Sequence, residues 1–324
     1  MQNFSMREPK VETLSERAKA GEPGAMVELG RRLLMGDGVA PSIPDGARHL
    51  LSAASLGSGE ACAQLAVLAA LGVHFEQDWT QAFDFLRRAA MLGSERAQRE
   101  LALLTGVSRD KTGAGGAIDV RSLTAPRRLE KVHDRPRIWI TRAFLSVEEC
   151  QWIIELGRPM LGRAEVYARA THEAGVGDER TNSAAAFNVT NVGVALAVLH
   201  ARMAATIGIP AGLLTPPTLL HYSPGQEFKP HYDFFEPAPN TDSTGQFAQR
   251  TATLLFYLNA DYDGGETDFP RVPYRFRGAA GDGLIFANIN PSGAPDHATL
   301  HAGLPPTRGE KWLLSQWAFA PLLN

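Results

Sequence analysis

Four sets of residues recur in phase at a spacing of 36 through the first hundred positions: Ala18, Ala54 and Ala90; Gly21, Gly57 and Gly93; Ala25, Ala61 and Ala97; Leu29, Leu65 and Leu101. A fixed period of this length means stacked copies of one supersecondary unit, because a single unit cannot bury its own apolar face. Between these anchors apolar residues fall at helical spacing, as over 61–71 and 79–91, with small residues where helices must approach closely. Each unit is expected to be a helical hairpin, two of them and part of a third before the pattern ends near residue 105.

Over about residues 14–105 the pattern resembles the Sel-like, tetratricopeptide-related repeat, whose units carry an AxxLG element and a GxGV turn, here Gly36-Asp37-Gly38-Val39. The resemblance implies an α-helical solenoid over 1–105 that either binds a partner or only supports its neighbour. Residues 106–134 lose the periodicity and turn polar, Gly-rich and basic, from TGAGGAID to APRRLEK, which predicts a linker.

A chain of 324 residues has room for a second domain, expected at 135–324. From Pro136 the sequence changes to short β-rich runs at 137–140, 218–222, 251–258, 283–286 and 311–319, separated by Gly and Pro clusters. Helices are expected over 150–156, where Ser146 and Glu149 form a capping-box pattern, and over 192–207. The fold class is therefore α+β and multidomain: a helical repeat domain followed by a double-stranded β-helix, or jelly roll, with buttressing helices.

Formal net charge is -3 with the two signs interspersed, so no footprint for nucleic acid or an anionic membrane stands out. No apolar run approaches the roughly 20 residues that span a bilayer. Cys62 and Cys150 are the only cysteines and the first ten residues lack an apolar signal core, so a cytoplasmic location is expected.

His231 and Asp233 stand at i and i+2, a spacing that puts both side chains on one face of an extended chain. Two histidines and one carboxylate on one face of an octahedron are the usual ligand set of non-haem iron(II) oxygenases. The third ligand is open between His297 and His301, four residues apart.

Residues 301–312, HAGLPPTRGEKW, closely resemble the distal segment of prolyl 4-hydroxylases, in which a histidine precedes Ala-Gly and a lysine follows ten residues later. The similarity extends in order through 136–150 (PRIWITRAFLSVEEC), 180–183 (RTNS), 221–231 (HYSPGQEFKPH), 250–258 (RTATLLFYL), 264–267 (GGET) and 281–283 (GDG). It implies an Fe(II)- and 2-oxoglutarate-dependent dioxygenase with His231, Asp233 and His301 on the iron and Lys311 on the distal carboxylate of the cosubstrate. By the same similarity Tyr222 and Thr253 donate hydroxyl hydrogen bonds to that carboxylate, and Arg250 contacts substrate. Strand parity puts Lys311, Leu313, Ser315 and Trp317 on one face, which makes Trp317 a candidate wall of the pocket.

Two positions depart from the family pattern: Phe228 stands where a tyrosine is frequent, and Leu304 where a cysteine is. The polar segment 236–249 is a candidate lid. The implied reaction is hydroxylation of a C–H bond, foremost in a prolyl residue of a protein or peptide recruited by the repeats. It uses Fe(II), 2-oxoglutarate and O2, with ascorbate as an accessory reductant and succinate and carbon dioxide as coproducts. Two alternatives stand beside it: a free amino acid or small metabolite as substrate, and a repeat-based scaffold whose oxygenase domain is inactive or a sensor.

Overall fold

The repeated Gly21, Gly57 and Gly93 mark a backbone requirement, since all three adopt φ between +85° and +90°, a region that side-chain-bearing residues avoid. Each ends the tight turn inside one helical hairpin. The computed structural model describes residues 10–106, 116–164, 166–167, 174–175, 177–236 and 249–319. Three hairpins follow one another: α1 (Val11–Lys19) with α2 (Pro23–Met35), α3 (Ile43–Ser55) with α4 (Gly59–Leu71), and α5 (Trp79–Met91) with α6 (Glu95–Thr105).

The caps repeat with the same period. Ser42 and Asp78 cap α3 and α5, and Ser58 and Ser94 cap α4 and α6, each side chain accepting the backbone N–H three residues on. Where α2 crosses α3, a Cβ on Gly46 would lie 2.9 Å from the Gly30 carbonyl oxygen, so only glycine permits this contact. The middle helix α4 buries an unbroken run from Gln64 to Ala70, as a helix with neighbours on every side must.

The chain divides into two compact units, Met1–Leu123 with Asn188–Leu199, and Thr124–Phe187 with His200–Asn324. The repeat unit thus takes in a segment distant in sequence. Gln64 donates to the Val189 carbonyl, Arg96 to the Asn191 carbonyl at 2.7 Å, and the buried Glu100 carboxylate accepts the Ala195 N–H at 3.0 Å. That last bond satisfies an orphan donor at the start of α9 (Val194–Ile207). Gly193 is required beside it, because a Cβ there would lie 2.2 Å from a Glu100 oxygen.

In the second unit the chain runs through α7 (Val120–Thr124, ending at the unit's first residue), β1 (Glu130–Asp134), β2 (Arg137–Thr141), α8 (Val147–Gly157), β3 (Gly162–Arg163), β4 (Val166–Tyr167), β5 (Ala174–Gly175), β6 (Ser183–Ala186) and β7 (Thr218–Tyr222). It continues with β8 (Phe228–His231), β9 (Ala252–Tyr257), β10 (Asp263–Gly264), β11 (Thr267–Phe269), β12 (Tyr274–Phe276), β13 (Gly283–Ala287), β14 (His301–Gly303), β15 (Pro306–Arg308) and β16 (Lys311–Ala318). A large antiparallel sheet has the order β1-β2-β13-β9-β16-β7-β6-β3, and a smaller one the order β12-β11-β14-β8. Their shared core joins Leu220, Tyr257, Leu284, Phe286 and Leu313 of the large sheet to Phe269 and Phe276 of the small one, the two-sheet arrangement expected of a jelly roll.

At the start of α8 both halves of the Ser146–Glu149 capping box form, and Arg202 bridges Glu149 at 3.0 Å and the Phe144 carbonyl at 3.0 Å. Regular structure is present inside the stretch expected as a linker. Within the expected linker 106–134, residues 107–115 lie outside the described residues, but 120–124 form α7 and 130–134 form β1. β1 reads as linker because it is an edge strand, largely exposed and hence polar. The candidate lid 236–249 lies outside the described residues except at its two ends. Among the described residues no helix is long and apolar enough to cross a membrane.

Glu100→Ala is expected to cost ~1–3 kcal/mol by leaving a buried N–H unpaired, seen as a lower denaturant midpoint with an unchanged slope. A chain truncated to begin at Ala125 lacks Gln64, Arg96 and Glu100 together and exposes the apolar run 194–199. It is expected to aggregate, and a soluble truncation with native circular dichroism would contradict this packing.

Candidate active site

The small sheet sets the site. β8 and β14 pair antiparallel with His231 directly opposite His301, and their ring centroids stand 4.2 Å apart. Each ring is fixed the same way: His231 Nδ1 lies 2.8 Å from the Lys229 carbonyl and His301 Nδ1 lies 2.9 Å from the Thr299 carbonyl. A carbonyl only accepts, so both rings carry their proton on Nδ1 and present the Nε2 lone pair inward. Asp233 lies just past the end of β8, in a bend, with its oxygens 3.7 Å from His231 Nε2 and 3.4 Å from His301 Nε2.

Ligand atoms of the three residues all fall within 4.8 Å of one another, and no other His/Cys/Asp/Glu group of this kind occurs among the described residues. Burial, reinforced by His301, holds the His231 imidazolium down at about 3. Burial pushes the Asp233 carboxyl up, but His301, His231 and the Thr253 hydroxyl more than offset it and hold it at about 2. Two imidazole Nε2 atoms and a carboxylate thus converge within 4.8 Å of one another, an arrangement that a cation satisfies. The donor set fits Fe(II).

A cavity of about 290 Å³ opens from this point. Lys311, Leu313, Ser315 and Trp317 all line it while Trp312 and Leu314 do not, which matches the alternation of β16. Lys311 is paired in register with Tyr222, and its ammonium stands 5.0 Å from the Tyr222 ring and 5.8 Å from that of Tyr257. The Lys311 Nζ is fully buried and has no hydrogen-bond partner among the described residues. Burial, opposed only by Glu266, lowers its pKa to about 7. The same burial raises the Tyr222 phenol to about 12, against the pull of Arg180.

Two expected site residues are placed differently. Thr253 does not line the cavity; its hydroxyl donates to Asp233 Oδ2 at 2.7 Å and accepts from Asn288 Nδ2 at 3.0 Å. A hydroxyl has one proton, so while Asp233 holds it none is left for a cosubstrate carboxylate. Arg250 does not line the cavity either. Its guanidinium stacks at 3.7 Å over the Trp317 ring and 4.6 Å over Phe235, and so reaches the site through Trp317.

His297 and His221 stay apart from the triad: His297 lies at the rings of Tyr232 and Phe234 with Glu236 3.4 Å away, and His221 packs on Trp312. Sequence reasoning missed Asn288 and the role of Arg180. Arg180 lines the cavity with its guanidinium 4.7 Å over Phe228, which in turn stacks at 3.5 Å on His231. Phe228, the residue in place of a frequent tyrosine, thus forms the middle layer of that stack. The RTNS match held the signal for Arg180; a single asparagine after a buried strand carries none.

The description "2OG-Fe(II) oxygenase superfamily" matches residues 217–319. Probable prolyl 4-hydroxylase 3 of Arabidopsis thaliana is 32% identical over 201 residues, covering 56% of this chain and 69% of that relative. Among solved structures, the viral collagen prolyl hydroxylase of Paramecium Bursaria Chlorella virus-1 is 24% identical over 56% of this chain and 94% of its own, with a TM-score of 0.43. A Sel1 repeat protein from Oxalobacter formigenes is 32% identical over 30% of this chain and 74% of its own, with a TM-score of 0.28. The chain belongs to the prolyl 4-hydroxylase family of 2-oxoglutarate- and Fe(II)-dependent oxygenases.

Because Lys311 sits at about 7 against 10.5 for an ordinary lysine, its burial costs stability at neutral pH, and that cost fades as pH rises toward 10.5. Lys311→Met is expected to stabilise the ligand-free protein at pH 7 by roughly 1–4 kcal/mol. The gain should shrink by pH 10, and the thermal shift given by 2-oxoglutarate with Mn(II) should vanish. A destabilised variant that keeps this shift would contradict the assignment.

Proposed function

We propose that His231 Nε2, Asp233 and His301 Nε2 hold Fe(II), and that 2-oxoglutarate lies in the cavity with its distal carboxylate on Lys311 beside Tyr222. The observation that carries this is the pairing of two unmet demands in one cavity: converging lone pairs at one point and a buried, unpartnered ammonium at another. A small dianion that chelates a metal through one end meets both. Bound together, iron(II) and 2-oxoglutarate supply the oxygen activation that hydroxylates a C–H bond and yields succinate and carbon dioxide.

The chain's own work is to bind, orient and keep dry. Leu220, Leu255 and Leu313 line the cavity and limit water around the reacting groups. The two backbone carbonyls at Lys229 and Thr299 keep the Nδ1 protons in place, so neither histidine competes as an acid. Trp317, backed by the Arg250 guanidinium, offers a flat apolar wall for a substrate ring.

The substrate in this reading is a prolyl residue in a protein or peptide, which the name of the Arabidopsis relative supports. The helical repeats over 1–105 then act as a second contact surface that raises the local concentration of a polypeptide substrate.

His231→Ala and His301→Ala are expected to abolish both Fe(II) retention and succinate formation, while His297→Ala retains both. Loss of iron in His297→Ala alone would overturn the ligand set. With the full chain, a panel of proline-containing peptides and free amino acids followed by mass spectrometry should give a 16 Da gain on a prolyl residue. Oxygen insertion into a free amino acid alone would move the substrate class to small metabolites.

A further inference from the structure

We infer that Thr253 and Asn288 are positioning residues for Asp233, fixing which of its carboxylate oxygens faces the metal; this rests on the ligand set proposed above. Asp233 is the one member of the triad outside a strand. Both histidines are held at Nδ1 by a carbonyl two residues before them. Asp233 has no such local tether and is held from β9 instead, by the Thr253 hydroxyl at 2.7 Å on Oδ2. That bond takes one lone pair of Oδ2, which stands 3.4 Å from His301 Nε2, and leaves Oδ1, 3.7 Å from His231 Nε2, as the oxygen with both lone pairs open to a metal.

The polarity of the relay is forced by chemistry. An ionised carboxylate only accepts, so Thr253 donates to Asp233 and has only lone pairs for Asn288. The neighbouring group must then be a donor, which the Asn288 amide nitrogen is, at 3.0 Å. All three side chains are buried, with Thr253 and Asn288 at 1% and 0% exposure, so no solvent competes for these bonds.

Asn288 is itself pinned by its backbone on two sides. Its N–H donates to the Thr251 carbonyl at 2.8 Å, and its carbonyl accepts the Asp296 N–H at 2.9 Å. The first bond ties it to the segment that carries Thr253 and the second to the segment that leads to His301. An aspartate at 288 would present an acceptor to a hydroxyl whose proton is already given, and the relay would break.

The test is a titration of the metal-stripped full-length chain with Co(II), read by its visible spectrum, without and then with 2-oxoglutarate. Thr253→Val removes the hydroxyl at nearly constant volume and Asn288→Asp removes the donor. Each is expected to weaken Co(II) binding about 10- to 100-fold and to alter the Co(II) bands. Thr253→Ser keeps the hydroxyl and is expected to restore both, and the 2-oxoglutarate dissociation constant at saturating Co(II) should be unchanged in Thr253→Val. If Thr253→Val does not fold, Asn288→Asp and Asn288→Ala decide the matter through the same two readouts. Native Co(II) affinity and spectrum in the folded variants would overturn the inference, as would a raised 2-oxoglutarate constant in Thr253→Val with the metal constant unmoved. Asp233→Ala separates the two levels: if it still binds Co(II) natively, the ligand set itself fails, whereas its loss beside an unaffected Thr253→Val and Asn288→Asp removes only the relay.

Discussion

The antiparallel register that sets His231 opposite His301 is the constraint on which the site depends. Side chains alternate along a strand, so a slip of one residue in either strand would turn one imidazole out of the cavity. The two partners lie seventy positions apart in sequence, and the intervening strands exist to bring them together: β9 carries Thr253 beneath Asp233, and β11 pairs with β14 on its other side. On the large sheet, β16 sits between β9 and β7. That placement lets Lys311 reach the cavity beside Tyr222.

Energetically the cavity is built for a ligand more than for stability. Buried polar groups such as the Lys311 ammonium, which has no hydrogen-bond partner among the described residues, disfavour the folded chain in isolation. Such groups persist because the surrounding core, from Leu284 and Phe286 to Phe269, holds the two sheets together without them. In the proposed function the unfavourable groups become affinity when a metal and a dianion arrive, since ligands that bind only the folded state stabilise it.

Much of this was legible in the chain because it follows from period. The 36-residue spacing gave the helical hairpins, and its glycines are the positive-φ turns. Alternation along 311–317 separated Lys311 and Trp317 from Trp312. What escaped was structure whose partners are distant. The strands of the small sheet are three or four residues long, too short for a periodic signal. Thr253 was expected at the cosubstrate because a motif fixes its neighbourhood, but only the fold reveals that Asp233 stands between it and the cavity. The grouping of 188–199 with the repeats was hidden in the same way, because Glu100 and Ala195 carry no shared local pattern.

In the proposed function one cavity joins a three-ligand metal centre to a carboxylate anchor at Lys311. The most direct test is an anomalous difference map from crystals of the full chain grown with Mn(II) and 2-oxoglutarate. The expected result is a single strong peak bounded by His231 Nε2, Asp233 Oδ1 and His301 Nε2, with the distal carboxylate of 2-oxoglutarate on Lys311 Nζ. A metal beside His297 or His221, or a distal carboxylate bound at Arg180 with Lys311 still unpaired, would contradict it.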